Sequence, residues 1–135
     1  RNEKWNEINS ILDWEMCTIG DPLMDLGTSI AYWTMSNDHP VILNGLKSPT
    51  VLPGNPSRSK IVELYCEQTQ TKLDDFVFYY VYGLFKIAVI VQQIYFRYKK
   101  GLTGDKRFSK LDKYAKVLSD TAWQSIQKMQ IENLF

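Results

Sequence analysis

The 135-residue sequence is 44% hydrophobic and 13% aromatic, enough apolar material for one domain with a real core, which excludes wholesale disorder. Sixteen basic side chains against fifteen acidic ones leave a formal net charge of +1, so no global field selects for nucleic acid or an anionic membrane. The charge is unevenly spread, with six acidic and two basic residues in positions 1–25 and eight basic and two acidic ones in positions 97–116.

Cys17 and Cys66 form no C-x-x-C pair and have no neighbouring histidine. That suits reduced thiols, gives a zinc site no support, and makes a cytoplasmic location the expectation. There is no initiator methionine and no basic-then-apolar leader; nothing points to secretion, and Arg1 reads as a cut inside a longer chain.

In chain order, Asn2, Glu3, Lys4 and Asn6 supply turn chemistry ahead of the strand-like run Ile8 to Trp14. Residues 1–14 are therefore expected to form half of a β-hairpin whose strand ends near Asp13. Gly20-Asp21-Pro22 has the form of a helix start, with Asp21 as N-cap and Pro22 in the first helical position. Leu23, Leu26, Ile30 and Trp33 follow at helical spacing, predicting a helix over 21–35. Four of the five prolines fall in 36–56, with Gly45, Gly54 and several Asn and Ser, a composition that predicts a long ordered loop or an insertion and no helix.

Residues 57–132 are expected to form a helical subdomain. Ser57 caps its first helix, whose apolar side is Ile61, Leu64 and Tyr65. Asp74 caps a longer one carrying Phe76, Tyr80, Gly83, Ile87, Val91, Ile94 and Tyr98 on one side and Phe78, Tyr82, Phe85 and Val89 on the other. A helix apolar all round belongs in the middle of a core. Lys86 interrupts the run Phe76–Val91, and Gln92 and Gln93 end it short of the ~20 clean apolar residues a membrane span needs, so a core helix is expected and no membrane partner. Lys99 and Lys100 suit its C-terminus and Gly101 its termination. From Asp105 or Ser109 a last helix carries Leu111, Tyr114, Leu118, Ala122, Ile126 and Met129 on one stripe, with Lys110, Lys113, Lys116 and Lys128 toward water.

The stretch Ile11-Leu12-Asp13-Trp14-Glu15 through Gly20-Asp21-Pro22-Leu23-Met24-Asp25-Leu26 combines an apolar strand end, a carboxylate, and a turn that opens a helix with two more carboxylates. Phosphoryl transfer requires such a feature, because Mg²⁺ on the nucleotide phosphates must be held by a rigidly placed carboxylate. From the residues alone, three aspartates near a helix start more often serve as caps and surface charges than as metal ligands.

The pattern I-L-D-W-E-x-x-x-x-G-D-P-L-x-D-L is similar to the metal-binding segment of the aminoglycoside phosphotransferase and choline kinase-like superfamily, and especially to the phosphotransferase domains related to those fused to acyl-CoA dehydrogenases. Leu52-Pro53-Gly54-Asn55-Pro56-Ser57-Arg58 resembles the loop before a C-lobe helix in that group. Phe78-Tyr79-Tyr80 through Gly83-Leu84-Phe85-Lys86 to Ile94–Gly101 resembles the long helix that follows. Together the three stretches cover residues 8 to 101 in order. The resemblance implies the mainly α C-terminal lobe of a protein kinase-like fold, with a short N-terminal β-hairpin strand followed by about four helices. It implies ATP and Mg²⁺ as cofactors, a small-molecule hydroxyl as acceptor, and the remainder of the same kinase-like domain as a partner.

By that resemblance Asp13 corresponds to the aspartate that holds Mg²⁺ on the nucleotide phosphates, and Asp25 braces the neighbouring catalytic loop from the helix start. Asp21 is a helix cap that supports the site. Glu15 has two readings, a ligand acting through water or a partner of a basic group. The family's H-G-D catalytic loop, source of the general base, has no counterpart in this sequence; it is expected upstream of Arg1, so the segment alone is expected to be inactive. His39, the sole histidine, is taken as a solvated turn residue. Tyr79, Tyr80, Tyr82 and Trp33 either line a substrate pocket or form plain core. The basic run Arg97–Lys116 is read as a solvated face, with no nucleic-acid partner. The alternative to an ATP-dependent phosphotransferase is a non-catalytic helical interaction module derived from such a lobe, and uncovered apolar surface near Asp13 and on the Phe76–Tyr98 helix favours self-association.

Overall fold

The computed structural model describes residue 8, residues 10–13 and residues 17–135. Over these the chain is helical and no strand is present among the described residues. The hairpin expected over 1–14 falls largely outside them, and Ile8 and Ser10 to Asp13 are exposed and not in strand.

Helix α1 runs Pro22–Tyr32, α2 Pro40–Leu46, α3 Arg58–Thr69, α4 Val77–Lys99 and α5 Leu111–Lys128, with short 3₁₀ turns at Pro49–Val51 and Lys106–Lys110. α4 lies at the centre, flanked by α1 on one side and α5 on the other. Its buried residues Val77, Tyr80, Leu84, Ile87 and Val91 meet Leu23 and Ile30 of α1 and Tyr114 and Leu118 of α5 in one core.

Capping chemistry fixes most helix starts. Ser57 accepts from the Lys60 amide at 3.2 Å to open α3, as expected. The start of α4 is held by Asp75, whose Oδ1 accepts from the Val77 amide at 2.7 Å, and not by Asp74; the cap sits one residue closer to the first turn than the spacing suggested. The proline-rich stretch is corrected more substantially, because it contains α2. His39 Nδ1 accepts from the Val41 amide at 3.2 Å and Pro40 occupies the first helical position, where its missing N–H has no partner to lose. His39 is thus a helix cap packed edge-on against Phe135 at 5.3 Å, and not a solvated turn residue. Helix α4 ends as its sequence predicts: Gly101 takes φ +71°, and the amides of Gly101 and Leu102 bond the carbonyls of Tyr98 and Arg97, each at 3.0 Å.

Two faces differ from their periodicity. The far side of α4 is solvent-facing, with Phe78 61%, Phe85 62% and Phe96 57% exposed, because α1 and α5 cover only part of the helix circumference. On α5 the buried row continues from Tyr114 and Leu118 to Thr121 and Ser125, leaving Ile126 and Met129 exposed. The two hydroxyls are tolerated because each finds a carbonyl: Thr121 donates to Val117 at 2.7 Å and Ser125 donates to Gln130.

Glycines set the α1–α4 distance. A Cβ on Gly27 would lie 2.3 Å from the Tyr79 carbonyl oxygen, and one on Gly83 would lie 2.4 Å from that of Gly27. The two backbones therefore approach more closely than any side chain at either position would allow.

The loops are tied to this core through Arg58, which is 2% exposed. Its Nε donates to the Trp33 carbonyl at 2.9 Å, Nη1 to Asp38 Oδ1 at 2.9 Å and to the Ile131 carbonyl at 3.2 Å, and Nη2 to Asp38 Oδ2. The guanidinium also stacks on Tyr80, 5.3 Å from the ring centroid. One buried cation thereby joins the end of α1, the loop before α2, the start of α3, the first turn of α4 and the C-terminal tail. Thr50 adds a second tie, its hydroxyl donating to the Thr34 carbonyl at 2.8 Å and accepting from the Thr34 amide at 3.0 Å.

Candidate functional site

Residues 10–13 and 17–20 are exposed, and residues 17–20 lead into α1. Asp13 has φ +71°, a left-handed backbone conformation that aspartate adopts more readily than most residues because its short carboxylate bonds locally. Within the exposed residues 17 to 20, a Cβ on Gly20 would meet nothing within 4 Å. Glu15 lies outside the described residues.

Helix α1 begins after its N-cap, Asp21. One carboxylate oxygen of Asp21 accepts from the Leu23 amide at 2.9 Å, capping α1, and the other accepts from the Tyr79 hydroxyl of α4 at 3.2 Å. The half-buried setting of Tyr79 and the Asp21 carboxylate both raise the phenol's pKa above its ordinary value. Asp25 sits exposed in the first turn of α1, where a negative charge complements the helix dipole.

Asp13, Asp21 and Asp25 do not converge. Among the described residues no group of three or more His, Cys, Asp or Glu side chains is arranged to hold a metal ion. The aromatic residues considered as pocket lining separate as well. Tyr80 is buried beneath Arg58, and its hydroxyl pKa is pushed up to about 12 by that burial; Trp33 is spent on a 3.1 Å bond from Nε1 to the Pro56 carbonyl. Tyr79 is the aromatic that reaches the segment, through a contact spanning 58 positions that no local pattern signals.

A cleft of about 590 Å³ lies on a different part of the surface, between α3, the loop before α4 and the C-terminal tail, and includes Cys66, Asp74, Asp75 and Glu132. An apolar groove of about 250 Å³ runs between α4 and α5, lined by Leu84, Phe85, Leu118, Trp123 and Ile126 among others.

The segment, its turn and α1 lie within a stretch that matches a known family. Residues 5–58 match the phosphotransferase enzyme family, whose fold is kinase-like. Over greater lengths the chain is similar to acyl-CoA dehydrogenase family member 10 of Mus musculus, 27% identical over 124 residues that make up 90% of this chain and 12% of that protein. It is 33% identical to acyl-CoA dehydrogenase family member 11 of Homo sapiens over 94 residues, 68% of this chain and 12% of the relative, and 28% identical to the Gallus gallus family member 11 over 132 residues, 93% and 16% respectively. The chain therefore spans between 12% and 16% of the length of these curated relatives. No solved structure matches it.

Proposed function

We propose that the intact protein transfers the γ-phosphoryl group of ATP to a hydroxyl of a small molecule, and that Asp13 is the carboxylate that holds Mg²⁺ on the nucleotide phosphates. The observation that carries this reading is the position of Asp13: an exposed carboxylate at φ +71° within the stretch that matches the phosphotransferase enzyme family.

The chemistry of the donor set fits such an ion. Mg²⁺ in phosphoryl-transfer sites is bound by one or two carboxylates and completes its octahedron with water and nucleotide phosphates. A single exposed aspartate suits that role, whereas a structural zinc or calcium site needs four or more protein ligands. When bound, Mg²⁺ would draw charge from the phosphate oxygens as it accumulates in the transition state. Asp13 would hold it as a ligand, Asp21 and Asp25 would support the segment from the start of α1, and the proton acceptor for the substrate hydroxyl would come from outside these residues.

The test is Mg²⁺-dependent binding of ATP and ADP release by the full-length protein, with and without Asp13→Asn. Binding of metal-nucleotide should fall at least tenfold in the variant, as for removal of a charged ligand worth about 1.4 kcal/mol or more. Wild-type affinity and turnover in Asp13→Asn would overturn the assignment.

The exposed apolar residues of α4 and α5 favour a second reading, a helical interaction module. Helix α4, Val77–Lys99, is long and apolar enough by length and composition to cross a membrane. We read it as a core helix, since Tyr80, Leu84 and Ile87 are buried between α1 and α5. Its outward row of Phe78, Phe85 and Phe96 would then meet another protein surface, a second copy of this chain included. Sedimentation of the full-length protein with Phe85→Lys and Trp123→Lys separates the readings: loss of association with retained ADP release places interaction on this face and leaves the enzymatic reading intact.

A further inference from the structure

We infer that the outward face of α4 is the contact between two copies of this chain, paired antiparallel about the level of Ile87; the inference rests on the reading of that face as an interaction surface.

The spacing along the face carries the geometry. Phe78, Tyr82, Phe85, Val89, Gln92 and Phe96 follow one another at intervals of four, three, four, three and four, the heptad repeat by which one helix lays a seam along another. The inner row of α4 is already covered by α1 and α5, whereas Phe78, Phe85, Val89, Gln92 and Phe96 are exposed. The seam is also symmetric in position, its members lying in pairs at equal distances either side of residue 87. A second copy running the opposite way therefore sets Phe78 level with Phe96, Tyr82 with Gln92 and Phe85 with Val89, and each pairing occurs twice. That is the self-complementarity a two-fold interface needs.

Charge agrees with that direction. Asp74 and Asp75 precede the helix, Lys99 and Lys100 follow its last apolar turn, and all four are exposed with no acidic residue between them. Antiparallel copies place Asp74 of one level with Lys100 of the other at both ends of the seam. Parallel copies would set acid against acid and base against base. Asp74 and Lys100 form no ion pair among the described residues, so both are available to a partner.

The extent is sufficient as well. Phe78 to Phe96 spans about 27 Å of helix at 1.5 Å per residue. Three phenylalanines that are each more than half exposed offer about 100–150 Å² apiece. Taken from two copies, they reach at least half of the roughly 1,200 Å² that a specific interface buries in total. Trp123 borders Phe85 across the groove and carries the apolar surface onto α5. One group opposes the pairing: Lys86 flanks the seam beside the two-fold axis, its ammonium 6.0 Å from the Tyr82 ring centroid. Two copies of that charge would approach to about the 8–10 Å between packed helices.

The experiment is sedimentation of the full-length protein over a concentration series, with far-UV circular dichroism to confirm that each variant is folded. Phe85→Lys should weaken dimerisation at least tenfold, since both copies lose an anchor at the centre of the seam. Asp74→Lys and Lys100→Glu should each weaken it about two- to tenfold, and an equimolar mixture of those two chains should return to near wild-type affinity because opposite signs then meet at both ends. Lys86→Gln should strengthen it about two- to threefold by relieving the repulsion at the axis; weaker association in this variant would mean that the cation meets an acidic surface, and overturns the inference. If Phe85→Lys weakens association but the mixed charge variants do not recover it, the antiparallel pairing is wrong and the interaction reading stands. If wild type associates and Phe85→Lys does so equally well, both fall. A wild type that stays monomeric throughout the series overturns the pairing and leaves the face to a different protein.

Discussion

Substitution of Arg58 is the most demanding test of how this fold is held. Its guanidinium is 2% exposed and the Asp38 side chain 10%, so Arg58→Ala would leave a nearly buried carboxylate whose remaining partner is the Met35 amide at 2.8 Å. The same change strips the Trp33 and Ile131 carbonyls of their donor. Removing one member of a buried ion pair costs about 3–5 kcal/mol, a large part of the ~5–15 kcal/mol that holds a typical domain together. Arg58→Lys keeps the charge, but an ammonium cannot serve both carboxylate oxygens and two carbonyls lying in different directions, so a loss of about 2 kcal/mol is expected. Joint replacement, Arg58→Met with Asp38→Leu, should recover part of the loss because no uncompensated charge is left behind. Urea unfolding followed by far-UV circular dichroism, with the m-value as a check on two-state behaviour, reads all four proteins. Arg58→Ala within about 1 kcal/mol of the parent, or Arg58→Lys equal to it, would refute the view that this guanidinium is the tie between loops and core.

Gly83→Ala should destabilise by about 1–3 kcal/mol despite alanine's better helix propensity, because the new methyl would lie 2.4 Å from the Gly27 carbonyl oxygen and 2.8 Å from the Ala31 Cβ; Gly104→Ala, with nothing within 4 Å, serves as the harmless control, and equal melting temperatures for the two would be contrary evidence. Stability should also fall in alkali. Tyr80 ionises near its ordinary value of 10 in the unfolded chain and about 12 in the folded one, so the unfolded state loses its proton first, and stability present below pH 10 declines by up to about 1.4 kcal/mol per pH unit between those values. Tyr80→Phe should flatten that slope, and a tyrosinate absorbance titration showing Tyr80 ionised at pH 10 in the intact fold would contradict the burial argument.

What could be read from the residues was what local physics decides. Asp21-Pro22, Ser57 and Gly101 announce helix ends through groups that bond within a few residues, and each stands where expected. His39-Pro40 carries the same signature as Asp21-Pro22, yet histidine is an uncommon cap and the surrounding prolines suggested loop. Periodicity located the inward faces of α4 and α5 but could not tell how much of each circumference would be covered, which is why Phe85 and Ile126 lie outside. Contacts between distant positions left no local trace. Arg58 and Asp38 are twenty residues apart, Gly27 and Gly83 matter only once two helices cross, and Tyr79 meets Asp21 from the far end of the core. For the candidate site, the sequence pointed to Asp13 and its helix start, while the way that start is anchored emerged only in three dimensions.

The stretch after α5 is part of the core in all but secondary structure. Ile131 and Leu134 are buried, the Ile131 carbonyl receives Arg58, Asn37 donates to Asn133 at 2.7 Å, and Lys128 closes on the Leu134 carbonyl at 2.7 Å. An expression boundary or fusion junction drawn where the last helix stops would therefore cut through the clasp around the buried guanidinium, and a protein trimmed there should behave as a core variant and not as a tidied terminus.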